Sequence, residues 1–217
     1  MAPSDGRAAL HVVTNDEVLA RPDVLEVAMA ILLAGGPSVA IHLRGARTPA
    51  SALFGLAERL APHVTSAGAA LVVNDRVDVA LALPADGVHL GSRSLSAGHV
   101  RPLLPTGMVL GVSCHSVEDL LETRAAGADY AFFGPVYATA SHPGVVGTGA
   151  VALADVVRAV PGFPVAAIGG VVPERVEEVV VAVAAIRGVW DAEDPAGAVH
   201  RYISAVNASK GADGSGS

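Results

Sequence analysis

Cysteine is nearly absent from this chain, one in 217 residues, and aromatic side chains make up only 4% of it. A single thiol excludes an internal disulfide and any metal site built on a cysteine cluster. Charge is scarce too: 16% of residues are charged, the net charge is −7 at pH 7, and Lys and Arg are scattered rather than clustered. That pattern argues against nucleic acid as a partner and for a small molecule. No apolar run approaches the roughly 20 residues needed to cross a bilayer. The N-terminus also lacks a basic region followed by an apolar one, so no membrane partner is expected and the expected location is cytoplasmic.

What the chain does have is apolar side chain, 52% of residues, enough to bury a large core in one domain. Short β-branched runs at residues 10–14, 39–44, 71–74, 87–90, 109–113, 130–134, 165–169 and 181–187 alternate with segments of helical periodicity. Two of those segments, 52–67 and 117–126, run into Gly68 and Gly127, which stop helices well. Eight strand-helix units of about 27 residues fit a (β/α)8 TIM barrel better than a doubly wound sheet. The α/β barrel domain is expected over residues 8–206, with a loose start through Arg7 and a disordered tail over 207–217. The apolar content, high for a monomer of this size, favours a homodimer.

In such a barrel the chemistry sits at the C-terminal strand ends. Strand two ends in His42 and Arg44, which share a face, with Arg47 in the loop; strand three ends in Asn74 and Asp75. Strand five runs into Ser113, Cys114 and His115, and alternation puts Ser113 and His115 on one side and Cys114 on the other. A Cys114/His115 nucleophile pair is thereby disfavoured. The loop after strand six carries Thr139, Ser141 and His142 before the turn at Pro143-Gly144, and its length is that of an active-site lid. Strand seven ends in Gly169-Gly170, whose backbone N–H groups suit a phosphate, with Ile186 and Arg187 after strand eight as the other half. His11 and His89 read as structural. Asn74 has a second reading as a helix cap.

The segments Asn74-Asp75-Arg76-Val77-Asp78, Asp86-Gly87-Val88-His89-Leu90-Gly91, Gly111-Val112-Ser113-Cys114-His115-Ser116, Phe133-Gly134-Pro135-Val136-Tyr137 and Ala167-Ile168-Gly169-Gly170 resemble the thiamine phosphate synthase and thiazole tautomerase family, in order from about His11 to Val206. The resemblance implies a (β/α)8 barrel and one of two reactions. The synthase pattern has Gln-Leu-Arg-Glu-Lys at strand two, where this chain has His42-Leu43-Arg44-Gly45-Ala46. It has a second metal-binding Asp where this chain has Ser92-Arg93-Ser94, and a Lys after strand six where this chain reads Ala138-Thr139-Ala140-Ser141-His142. Asp75 matches the other metal carboxylate, and Arg93 offers a charge in place of the cation.

The tautomerase (TenI-like) pattern has His-x-Arg, matched by His42-Leu43-Arg44, and Ser-x-His-Ser, matched by residues 113–116. This closer match implies a metal-independent, cofactor-free isomerase that aromatises a thiazole carboxylate phosphate in thiamine biosynthesis. His115 would carry the proton with Ser113 as its hydrogen-bond partner. Arg44 and His42 would hold the carboxylate, with Asn74, Thr139, Ser141 and His142 as further substrate contacts. Gly169, Gly170, Ile186 and Arg187 would bind the phosphate. The alternatives are a Mg2+-dependent thiamine phosphate synthase, joining a pyrimidine diphosphate to a thiazole phosphate, or a non-catalytic phosphate-ligand binder. The family's Ala-Gly-Ala-Asp-Gly before strand eight is absent here, which implies a shortened seventh helix and leaves the register of residues 179–188 open.

Overall fold

Eight parallel strands form a closed barrel in the computed structural model, which describes residues 8–139, 144, 146–179 and 182–213, with side chains through 209. They are β1 (Leu10–Val13), β2 (Val39–Leu43), β3 (Ala70–Asn74), β4 (Gly87–Leu90), β5 (Val109–Cys114), β6 (Tyr130–Phe133), β7 (Val165–Ile168) and β8 (Ala182–Ala185). β8 pairs back onto β1 through Leu10 and Val183, which closes the ring. The helices are α1 (Asp16–Leu19), α2 (Val24–Gly35), α3 (Ala50–Ala67), α4 (Val77–Leu81), α5 (Ala97–Val100), α6 (Val117–Ala125), α7 (Gly149–Ala159), α8 (Arg187–Trp190) and α9 (Pro195–Asp213). Between β7 and β8 the connection is a 3-10 helix, Pro173–Glu178.

Alternation along each strand divides the barrel into two packed layers. Outward side chains such as Leu10, Ile41, Val73, Val88, Leu110, Cys114, Phe133 and Val183 meet the helices in one large apolar cluster. On α3 the facing residues are Leu53, Leu56, Ala57, Leu60 and Val64, spaced three and four apart as one helical stripe requires. The helix stops at Gly68, whose φ of +67° suits a residue without a Cβ. Inward side chains fill the barrel, and here the chain pairs large with small. Gly111 lies between the Tyr130 and His89 rings, and a Cβ on it would stand 2.2 Å from Tyr130 Cζ.

The tail expected to be disordered from residue 207 is instead helical through Asp213. Val199, Tyr202, Val206 and Ser209 are buried at helical spacing on α9, and the Ser209 hydroxyl donates to the Val206 carbonyl. Of the residues that signalled a tail, Asn207 is exposed and Ser209 belongs to the buried stripe. Tyr202 donates to the Val171 carbonyl at 2.9 Å, tying α9 to the loop after β7. Among the described residues no helix is long and apolar enough to cross a membrane.

Candidate active site

The C-terminal strand ends bring Arg44, Asn74, Asp75, Ser113, His115, Gly169 and Gly170 to one mouth, as parallel closure requires. Arg44 follows β2 directly, and its backbone is clamped by the buried Thr14 hydroxyl. That hydroxyl accepts from the Arg44 N–H at 2.8 Å and donates to its carbonyl at 3.0 Å. The guanidinium is half-buried and makes no ion pair among the described residues. It is a cation held ready for an anion.

His115 is placed by the start of α6. Ser116 caps the helix by accepting from Asp119 N, and the Asp119 carboxylate accepts from both Ser116 N and His115 N, a reciprocal box. Such a cap contributes about 1 kcal/mol, and here it also fixes the turn that carries His115. The imidazole Nδ1 donates to the Gly134 carbonyl at 2.6 Å, leaving Nε2 clear of that bond. Ser113 was expected to pair with His115 and does not; its partner is His89 Nε2, at 2.9 Å. Ser113 lies within β5 and turns into the barrel, whereas His115 lies past the strand end. Cys114 points outward, is buried, and donates to Thr123 Oγ1.

His42 was expected at the substrate and lies below it. It is fully buried, with Nε2 facing His11 Nδ1 at 3.0 Å and Nδ1 facing Asn74 Oδ1 at 3.1 Å. Its position is one pair further down the strand than Arg44, deep enough for the interior rings to cover it. His89, bonded to Tyr130 OH at 3.1 Å, is equally buried. Burial pushes all three imidazoles toward the neutral form: His42 to about 4, and His11 and His89 well below the usual range, with neighbouring charge adding to the effect. This ring cluster was not foreseen. Its one sequence signal is the recurrence of His at inward positions of β1, β2 and β4, three of the first four strands.

Asn74 caps no helix. Its side chain meets His42, and the N-terminal residue before α4 is Arg76. Asp75 adopts a φ of +63°, uncommon but tolerated by Asp, and its Oδ1 accepts from Gly91 N at 2.8 Å and from the Ser94 hydroxyl. Ser94 thus occupies the place beside Asp75 where a second carboxylate would complete a cation site. Among the described residues no three His, Cys, Asp or Glu side chains converge on a point. One exposed carboxylate with an oxygen already bonded twice does not fit a protein-built Mg2+ centre, which uses near-octahedral oxygen donors.

Gly169 and Gly170 have φ of +93° and +66°. A Cβ on Gly169 would stand 2.6 Å from Pro135 Cβ, and one on Gly170 would stand 2.6 Å from the Ala138 carbonyl oxygen. The glycines therefore let the loop after β6 close onto β7, where Tyr137 N donates to Gly169 O at 2.9 Å. Across β8, Ile186 precedes α8; Val189 N and Trp190 N turn back to the Ile186 carbonyl, whereas the Arg187 and Gly188 N–H groups have no acceptor within this turn. Thr139 lies partly buried on the same loop, whereas Ser141, His142 and the centre of the expected lid lie outside the described residues. A surface depression of about 430 Å3 is bounded by Pro173 and Glu174, at the start of the 3-10 helix after β7, and by His200 of α9.

The closed eight-strand barrel, with glycines and a spare arginine at its mouth, is that of a TIM-barrel enzyme. Residues 10–190 match the family model described as thiamine monophosphate synthase, and the chain belongs to that family. It is 38% identical to the thiamine-phosphate synthase of Roseiflexus castenholzii, over 88% of this chain and 84% of that one. It is 37% identical to the thiamine-phosphate synthase of Methanoculleus marisnigri, over 92% and 97%. The solved thiamine phosphate pyrophosphorylase from Pyrococcus furiosus superposes with a TM-score of 0.82 at 29% identity, covering 95% of this chain and 98% of that one. These whole-length likenesses overturn the expected tautomerase. The proton-carrying role given to His115 rested on that reaction and falls with it.

Proposed function

We propose that this chain is a thiamine-phosphate synthase, a transferase that joins a pyrimidine diphosphate to a thiazole phosphate and releases pyrophosphate. The observation that carries the reading is similarity over nearly the whole chain to proteins of that name, at 37 and 38% identity. The mouth suits the chemistry. The bond from the pyrimidine methylene carbon to the diphosphate oxygen breaks, and the electron pair leaves with the diphosphate. The thiazole ring nitrogen then gives its lone pair to that carbon.

Charge therefore builds on the leaving diphosphate, and fixed donors aimed there speed the step. Arg44 supplies a positive, planar fork, and Asn74 a carboxamide N–H. The thiazole phosphate sits on the N–H groups of Gly169 and Gly170 and of the Ile186-Arg187 turn. Ser113, Thr139 and His115 line the space between. The cationic pyrimidine is protected from water by the ring-filled barrel beneath it.

The test is a coupled measurement of pyrophosphate release and thiamine phosphate formation from the two substrates, with Mg2+ or with EDTA. Equal amounts of the two products from wild type, reduced at least a hundredfold by Arg44→Ala, are expected. No coupling product under either condition overturns the reading.

A further inference from the structure

The imidazoles inside the barrel form two hydrogen-bond chains that differ in kind. His89 bridges the hydroxyls of Tyr130 and Ser113, each of which donates or accepts, so that chain runs in either direction. The other chain, His11 to His42 to Asn74, ends on a carboxamide oxygen, which only accepts. His42 must then carry its proton on Nδ1. A neutral imidazole has one N–H, so His42 Nε2 is bare and accepts from His11 Nδ1. His11 Nε2 is bare in turn. It is buried without a partner among the described residues, at a cavity of about 20 Å3 under the barrel floor lined by Ala8, Ala40, Ala70 and Asp86. That volume accepts one water, which would donate to Nε2 and close the chain.

At the upper end the direction has a consequence. With Oδ1 turned down onto His42, the Asn74 NH2 group is turned away from it, and among the described residues it donates to nothing. Nδ2 is also not sealed from solvent, unlike His11 Nε2. We infer that His11 and His42 are positioning residues: they lock the Asn74 carboxamide with oxygen inward and NH2 toward the mouth, where it donates to an oxygen of the diphosphate. The identity of that acceptor rests on the synthase reading; the direction of the chain does not.

Two features make the lock effective. Both rings are held by packing, since His11 stacks on Tyr130 at 5.3 Å and both His11 and His42 pack on Phe132. Burial also keeps both rings neutral at working pH, so no second proton reverses the order. A carboxamide without this support would sample both orientations, one of which presents an acceptor to an anion.

The experiment is 15N NMR of the histidine-labelled full chain, with calorimetric titration of inorganic pyrophosphate as probe. His11 and His42 should both show protonated Nδ1 and bare Nε2 from pH 6 to 9. His42→Leu should weaken pyrophosphate binding and raise KM for the pyrimidine diphosphate about tenfold while kcat changes less than about threefold, because a ground-state donor is misaimed. His42→Gln keeps a donor for Asn74 and an acceptor for His11, and should stay within about threefold of wild type. Protonated Nε2 on His42, or unchanged pyrophosphate binding by a folded His42→Leu, overturns the inference. If His42→Leu does not fold, the wild-type spectrum alone decides. Wild type that binds no pyrophosphate and couples no substrates counts against the synthase reading, while the tautomer pattern still stands or falls by itself.

Discussion

Between β1 and β6 the barrel interior is filled by His11, His42, His89, Tyr130 and Phe132, joined by directional hydrogen bonds and ring contacts. Between β7 and β8 it is filled by Ala166, Ala182 and Ala184 with Ile168 above them, and the strand end is a pair of glycines. The ring side spends volume and polar groups to fix where one side chain points. The alanine side presents backbone and has almost nothing to orient. A phosphate asks only for N–H groups at a fixed place, which glycines supply; a leaving diphosphate asks for aimed donors, which need support from below.

The contrast is broken most severely by Gly111→Val. Its Cβ would lie 2.2 Å from Tyr130 Cζ and 2.5 Å from His89 Nδ1. Overpacking of this kind costs about 3 kcal/mol or more, read as a lowered urea midpoint. Near-native stability would show that the rings have slack, and the contrast would collapse.

The ring side should also make the protein acid-sensitive. The folded His42 value is about 4 and the unfolded one 6.5, so between those values the unfolded chain holds more protons. Stability is full above about pH 6.5 and falls as pH drops, by about 3 kcal/mol at pH 4 from His42 alone. Urea melts across this range should show the slope in wild type and a shallower one in His42→Gln.

On the alanine side, Gly170→Ala forces a Cβ into a left-handed conformation against the Ala138 carbonyl. We expect about 1–2 kcal/mol of destabilisation. KM for the thiazole phosphate should rise more than that for the pyrimidine diphosphate, which steady-state kinetics with each substrate varied in turn will show. Least of all, Arg158→Ala removes an exposed pair with Asp155 and should change stability by no more than about 0.5 kcal/mol, measured in the same melts.

The barrel was legible because the strand and helix periods and the stops at Gly68 and Gly127 all agree locally with the final fold. The mouth was legible for Arg44, Asn74, Gly169 and Gly170, because a strand end is readable from where its apolar run stops. Depth was not. His42 and Arg44 share a face two residues apart, yet one is sealed among rings and the other reaches the mouth, and that difference is set by the stagger of neighbouring strands. Ser113 met His89 rather than His115 for the same reason. The reaction itself was misread because two absent lysines and one absent metal carboxylate, where the chain has Ser92-Arg93-Ser94, counted for more than likeness over the whole length of the chain. Missing groups say which contacts a site lacks; they do not say which bond it breaks.

Cys114 sits on the outer face of β5, under α6, with burial pushing its thiol up toward the unreactive neutral form and Thr123 bonded to it. As the single thiol in the chain it is a chemical clock: a disulfide reagent in solution reaches it only when the seam between strand and helix parts. Its labelling rate reports how often that seam opens, with no residue of the chain changed.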